Sequence, residues 1–181
     1  MLESADSYVP QSAFSALTRQ AWKAWTVGLI AVAFWVLLIL LPPIAKANGL
    51  TDISTPLYHF FGFLCHQIPN RSFFIAGEPF GVCSRCFGVY LGLAVGFAIY
   101  PLWRSLVEIE PIPKFWLFLS LIPITIDWSL TVFHIWENTY LSRFITGLIL
   151  GIACASYIVP AIVEITRNLT YRRRTFVDSG P

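Results

Sequence analysis

The chain has 181 residues, of which 56% are apolar and only 12% charged, with a formal net charge of +2. Soluble domains carry about 25% charged residues. A chain this apolar, with a mean hydropathy of +0.67, must turn much of its exterior to lipid, and its small net charge argues against a nucleic-acid partner. One domain's worth of sequence is present.

In chain order, residues 1–24 read as a cytoplasmic N-terminal segment. Phe14, Leu17, Ala21 and Trp25 recur at spacings of three and four, which predicts an interfacial amphipathic helix. Trp25 to Leu41 is an unbroken apolar run, long enough to cross a hydrocarbon core of about 30 Å, and Pro42-Pro43 is expected to end it. Ala45-Lys46-Ala47 also resembles a signal-peptide cleavage site, but the apolar run is long for that reading.

Residues 46–86 form an external segment in this reading. Pro56 to Cys65 is apolar but too short to span, so it predicts a short interfacial or re-entrant helix before the second span. Asn70 to Phe80 is rich in turn residues, and Asn70-Arg71-Ser72 matches the commonplace glycosylation sequon. The second span runs from Val82 to Leu102 and must include Cys83, Arg85 and Cys86 to reach full length. The third runs from Phe115 to Trp136, interrupted by Asp127. After a tight turn at 137–142, the fourth runs from Leu141 to Ile162. The fold class is therefore an all-α membrane protein with four transmembrane helices over residues 25–163. Residues 164–181 form a basic cytoplasmic tail containing Arg172, Arg173 and Arg174.

The twelve basic residues divide unevenly between the two sides. With the N-terminus inside, Arg19, Lys23, Arg104, Lys114, Arg167 and the triple arginine are cytoplasmic. Lys46, Arg71, Arg85 and Arg143 are external. Basic residues accumulate on the cytoplasmic side, so both termini are expected inside and the cysteine segment outside. Small residues recur at every fourth position in two spans: Gly88, Gly92 and Gly96, then Gly147, Gly151 and Ala155. Such faces let helix backbones approach closely, which predicts packing of the second span on the fourth.

The four cysteines fall at 65, 83, 86 and 154. Cys154 lies alone in an apolar run and reads as a packing residue. Cys83 and Cys86 face the same side of one helical turn. They can chelate Zn²⁺, cycle as a thiol pair or close a structural disulfide. Arg85 and the helix N-terminus favour the thiolate. Cys65 and His66 complete the candidate metal set, although adjacent residues bind one ion only through a bent backbone. A closed set would be structural; an open fourth position could be catalytic. Asp127 is costly at membrane depth without a partner. Arg143 is the expected partner, directly or through a water, with Arg85 and His134 as substitutes. Asp127, Arg85 and Arg143 are the candidate catalytic residues, lining a polar cavity beneath the cysteine segment. His59 and His134 otherwise read as interfacial histidines.

The string CHQIPNRSFFIAGEPFGVCSRCFGVYLG, with Asp127, Arg143, Thr146 and Gly147, resembles a prokaryotic membrane family filed as a domain of unknown function. That family carries Cys-His-Gln-x-Pro-x-Arg-Ser and Cys-x-Arg-Cys-x-Gly-x-Tyr elements. The resemblance covers roughly residues 55–151 and implies a shared site, without a named reaction. The topology is also similar to that of DsbB-type quinone-linked thiol oxidases, which place a CxxC at the outer start of the second span. Those enzymes use a further cysteine pair in the second external loop. Residues 137–142 hold none, so Cys65 would have to act as the resolving cysteine.

Three functions stay open at this level. One is an external zinc site, with a membrane metalloenzyme among its forms; metal-activated water would act on a headgroup held by Arg71, Arg85 or Arg143. The second is a thiol–disulfide oxidoreductase using a quinone. The third is a non-catalytic accessory subunit bound to other membrane subunits. The lipid bilayer is the partner common to all three.

Overall fold

A computed structural model describes residues 11–110 and 112–178, excluding the side chains of residues 12, 13 and 172–178. The first ten residues of the N-terminal segment, the arginine side chains at 172–174 and residues 179–181 lie outside the described residues.

Four helices are long and apolar enough to cross a membrane. They are α1 (Gln11–Ala47), α3 (Ser84–Trp103), α4 (Phe115–Val132) and α5 (Tyr140–Asp178). The short helix α2 (Thr51–Gly62) precedes α3. The molecule is thus an all-α membrane protein with a short helix before its second span. A two-stranded antiparallel hairpin, β1 (Phe74–Ile75) and β2 (Glu78–Pro79), lies within the stretch read as a loop. Its turn needs Ala76 and Gly77 at φ 51° and 83°, the positive-φ pair that matches strand twist. Lys46 Nζ holds this hairpin to the end of α1 through Glu78 Oε2 at 2.7 Å.

The outer helices run longer than the hydropathy suggests. The expected N-terminal helix is collinear with the first span and forms one 37-residue helix with it, while α5 extends over 39 residues. At 1.5 Å per residue each exceeds a bilayer core of about 30 Å. Beyond it they brace one another: Gln20 Nε2 donates to Thr166 O at 2.9 Å and to Thr170 Oγ1 at 2.8 Å. At this end Ala21, Ala24, Phe97, Tyr100, Leu106, Ala155, Val159 and Val163 form the larger apolar core.

Pro42-Pro43 does not end α1. The helix continues through both residues, and both are fully buried. Membrane helices tolerate proline where another group satisfies the freed carbonyls. Pro43 cannot donate to Ile39 O, and the N–H of Gly81 donates there instead, at 3.4 Å. A side chain at Gly81 would crowd Phe61, Ile39 O and Pro42. The proline pair therefore makes a docking point for the cysteine segment.

The α3–α5 interface is the most extensive between described elements. A Cβ at Gly88 would overlap Phe144 O, one at Gly92 would overlap Leu148 O, and one at Gly147 would overlap Arg85 O. The predicted small-residue faces meet, so the second and fourth spans pack backbone to backbone. By contrast, α4 packs mainly on α5 and buries only Ser120 and Asp127.

The third span ends four residues before the expected Trp136. His134 adopts φ 54°, and the N–H groups of Ile135 and Trp136 both turn back to Leu130 O, at 3.0 and 3.2 Å. A left-handed residue closing the last carbonyls is a normal helix stop. The α4–α5 connection therefore occupies residues 133–139.

Candidate functional site

Two chemically distinct centres lie at the same end of the helices, on different flanks of α3. The first is built on Cys83, which caps α3 in an extended conformation and offers its carbonyl to Phe87 N–H at 2.9 Å. One helical turn brings Cys86 onto the same face. Cys65 follows α2, and its N–H donates to Phe61 O at 2.9 Å. The three Sγ atoms lie within 4.8 Å of one another, and among the described residues no histidine or carboxylate joins them. All four cysteines are free thiols.

The spacing has a local cause. Gln67 stands at φ 48°, and its Nε2 donates to Tyr58 O and to Gly81 O, each at 2.8 Å. The amide thus pins the end of α2 to the residue two before Cys83. Cys83 N–H in turn donates to Cys65 Sγ at 3.2 Å. Tyr58 Oη donates to Pro79 O at 2.5 Å. Burial, then the nearby Glu78, push this phenol up to about 12, so it keeps its proton and its bond well into the alkaline range.

Cys65 is buried in an apolar cluster with Ile39, Phe61 and Val82, against which Trp35, Phe87 and Tyr90 pack. The Cys83 and Cys86 thiols, then the backbone N–H groups of Cys83 and Gln67, donate to its sulfur and hold its thiol well below the ordinary range. This set fits a thiophilic ion. Tetrahedral bonds of about 2.3 Å would draw sulfurs to about 3.8 Å apart, a small contraction of the group. The Trp35 Nε1 and Ser84 Oγ atoms are buried without a hydrogen-bond partner, leaving donors next to the cluster for thiolate sulfur or a bound water. His66 points elsewhere: it is exposed and stands outside the sulfur group.

The second centre surrounds Arg85. With about 100° per residue, Arg85 lies roughly 200° from Cys83 and 100° from Cys86 around α3. It therefore faces α4 and α5, where it pairs with Asp127 Oδ2. Asn138 folds back from the α4–α5 connection and donates to Asp127 Oδ2 at 2.6 Å and to Asp127 O at 3.1 Å. Arg143 Nε donates to Asn138 Oδ1 at 2.7 Å. The expected Asp127–Arg143 contact is thus mediated by an amide side chain, and Arg85 is the direct ion partner. The axial separation of Asp127 and Arg143 along antiparallel helices is too long for a direct pair, and the returning loop closes it.

A cavity of about 410 Å³ lies beside this network, lined by Arg71, Arg85, Arg143, His134, Glu137, Asn138 and neighbouring α4 residues. No cysteine lines it. The polar cavity expected beneath the cysteine segment is displaced to the far flank of α3 because Arg85 and the cysteines point in different directions. His59 is exposed on α2. Cys154 sits within α5, away from the sulfur group. Sequence reasoning missed three contributors: Gly81, Gln67 as the clamp, and Asn138 as the bridge. Glutamine and asparagine carry no distinctive spacing signal, whereas Gly81, next to Val82, could have been weighed as a close-approach residue.

The family described as "Predicted membrane protein (DUF2085)" matches residues 65–157, a stretch holding the three clustered cysteines, Arg71, Arg85, Asp127, Asn138 and Arg143. An uncharacterised protein of Methanocaldococcus jannaschii is 37% identical over 147 residues, covering 78% of this chain and 94% of the relative. An uncharacterised protein of Methanothermobacter thermautotrophicus is 36% identical over 97 residues, covering 52% of this chain and 84% of the relative. No solved structure matches the chain.

Proposed function

The chain belongs to this DUF2085 family of predicted membrane proteins, and from that premise we propose that it is a multi-pass membrane protein holding one Zn²⁺ or comparable thiophilic ion through Cys65, Cys83 and Cys86. The observation that carries this reading is the convergence of three sulfurs within 4.8 Å from two separate segments. Free thiols, one buried and two half-buried, brought together by a dedicated amide clamp are a ligand set more than a packing arrangement. The basic-residue asymmetry supports both termini in the cytoplasm and the metal at the outer face.

Three protein sulfurs leave one position for water or a substrate atom, which is where a bound zinc ion would supply Lewis-acid chemistry. The chain's own residues do the rest. Gln67 sets the separation of the sulfur-bearing segments, and the Cys83 N–H stabilises negative charge on Cys65. The apolar shell of Phe61, Val82 and Trp35 restricts water.

A thiol–disulfide relay is the second reading, favoured by the same proximity. Cys83 and Cys86 would be oxidised to a disulfide, with two electrons and two protons passing to a quinone, and Cys65 close enough to resolve a mixed disulfide.

Elemental analysis and thiol counting on the purified full chain in detergent separate the two readings. The expected result is about one zinc per chain, sharply reduced in Cys83→Ser and in Cys65→Ser and unchanged in Cys154→Ser. A chain that takes up no zinc, yet whose cysteines are oxidised by a soluble quinone, overturns the metal reading in favour of the relay.

A further inference from the structure

We propose that the cavity between Arg71, Arg85 and Arg143 binds the phosphate group of a membrane lipid. This goes beyond the metal reading and does not rest on it, because the cavity lies on the other flank of α3 and no cysteine lines it.

Three guanidinium groups line one cavity of about 410 Å³. Arg71 and Arg85 both act on Arg143 with like charge. Arg143 also sits in the first turn of α5, where Thr139 takes the N–H groups of Ser142 and Arg143 and the helix dipole still favours an anion over a cation. Against these three charges stand Asp127, consumed by Arg85, and Glu137, exposed on the lining. Three positive charges less two negative ones leave an excess of one.

The donor inventory points the same way. The Arg71 guanidinium makes no hydrogen bond or ion pair among the described residues; only the backbone N–H of Arg71 is used, toward Ile68 O. Arg143 spends only its Nε, on Asn138. Arg85 Nε is buried with no partner. A guanidinium offers five N–H donors, and clustered arginines match the oxygens of phosphate bidentately. The buried Arg85 Nε is costly without an acceptor, and the unspent donors of Arg71 and Arg143 on the same cavity wall are available to share one.

Location selects the source of the phosphate. Trp128 lines the cavity and is 56% exposed, and Trp136 and Tyr140 nearby in the chain are also exposed. Exposed tryptophan and tyrosine at helix ends mark the headgroup level of a bilayer. Arg71 is supplied by the short helical turn Pro69–Arg71 of the cysteine segment, so that segment and the ends of α3 and α5 grip the same group.

The test uses the full chain in mild detergent, with native mass spectrometry to follow binding of phosphatidic acid and of diacylglycerol, which lacks the phosphate. Inorganic phosphate is titrated separately by calorimetry. The expected outcome is binding of phosphatidic acid at least about tenfold tighter than diacylglycerol. Arg71→Gln should weaken it by about tenfold or more, the usual cost of losing a charged hydrogen-bond donor, and Arg71→Lys should restore part of it. Arg71 is exposed, so Arg71→Gln should unfold at the wild-type temperature and keep wild-type zinc content. A loss of zinc alone therefore bears on the metal reading and not on this one. Equal binding of the two lipids overturns the proposal, as does phosphatidic acid binding indifferent to Arg71→Gln. Inorganic phosphate binding as tightly as the lipid would overturn the lipid source and leave a soluble phosphate ester as the occupant.

Discussion

The guanidinium of Arg85, in the first turn of α3, pairs with the carboxylate of Asp127 in the second half of α4. Because α4 packs mainly on α5, this ion pair is a direct polar tie between the second and third spans. Asn138 donates to the same Oδ2 atom that Arg85 pairs with and passes the contact to Arg143. Four residues from three helices and a loop thus form one chain of hydrogen bonds.

Removing one partner should therefore cost more than removing the pair. Asp127→Asn leaves Arg85 facing α4 without its counter-charge, a change worth about 3 kcal/mol when an ion pair is largely buried. A double-mutant cycle on unfolding in detergent gives the check. Asp127→Asn with Arg85→Gln should be non-additive by about 1–3 kcal/mol. Asp127→Asn with Arg143→Gln should couple more weakly, and that residual coupling should vanish in Asn138→Ala. Strict additivity of Arg85 and Asp127 would show that the pair does not hold α4.

The glycine face makes a prediction about helix spacing. Gly92→Val and Gly147→Val each drive a side chain into the backbone of the facing helix. Overpacking of this kind costs about 1–3 kcal/mol, read as a lowered unfolding temperature. Gly49 has open space around its Cβ position and φ 75°. Gly49→Asn, a residue that tolerates that conformation, should be nearly silent.

These two cases show what the sequence could disclose. Periodic glycines at 88, 92 and 96 and at 147 and 151 carry a packing instruction in their spacing alone, and the helices meet as that spacing predicts. Asp127 likewise announces a need for a partner, since a lone charge in an apolar run is expensive. Its partner was harder to read. The choice between Arg85 and Arg143 depends on how far α4 continues, and that is set by a left-handed backbone at His134, a conformation with no strong residue signature outside glycine and asparagine. Pro42-Pro43 misleads for a related reason. Local propensity treats paired prolines as a helix stop, but Gly81, some forty residues away, supplies the donor for the Ile39 carbonyl that Pro43 leaves open. Tertiary partners decide both outcomes. His66 was drawn into the metal set by adjacency to Cys65, although successive residues beyond a helix end point in different directions.

Orientation in the bilayer is predicted from charge. A phosphatase reporter inserted at Gly77, whose Cβ position is open, should be active outside the cell. The same reporter fused to the C-terminus should be silent, because basic residues cluster on the cytoplasmic side. Activity at the C-terminus with silence at Gly77 would invert the topology and move the sulfur group to the cytoplasmic face. Equal activity at both would contradict the three spans, an odd number, that separate Gly77 from the C-terminus.

Gln67 gives the most discriminating prediction about the sulfur group, because it touches no sulfur through its side chain. Its amide bridges Tyr58 O and Gly81 O, each at 2.8 Å, and Cys65 and Cys83 each lie two residues from an anchor of that bridge. Gln67→Ala breaks the clamp while leaving all three thiols in place. Positioning groups of this kind typically affect metal affinity by about 10- to 100-fold. Zinc competition against a chromogenic chelator should show that loss for Gln67→Ala. Gln67→Glu should be at least as severe, since a carboxylate would face two carbonyl oxygens and supply no donor. The thiol count must remain that of the wild type, which distinguishes a displaced ligand from an oxidised one. Wild-type zinc affinity in both variants would mean that the sulfurs converge without the clamp, and that the Cys83 N–H contact to Cys65 is sufficient to hold them.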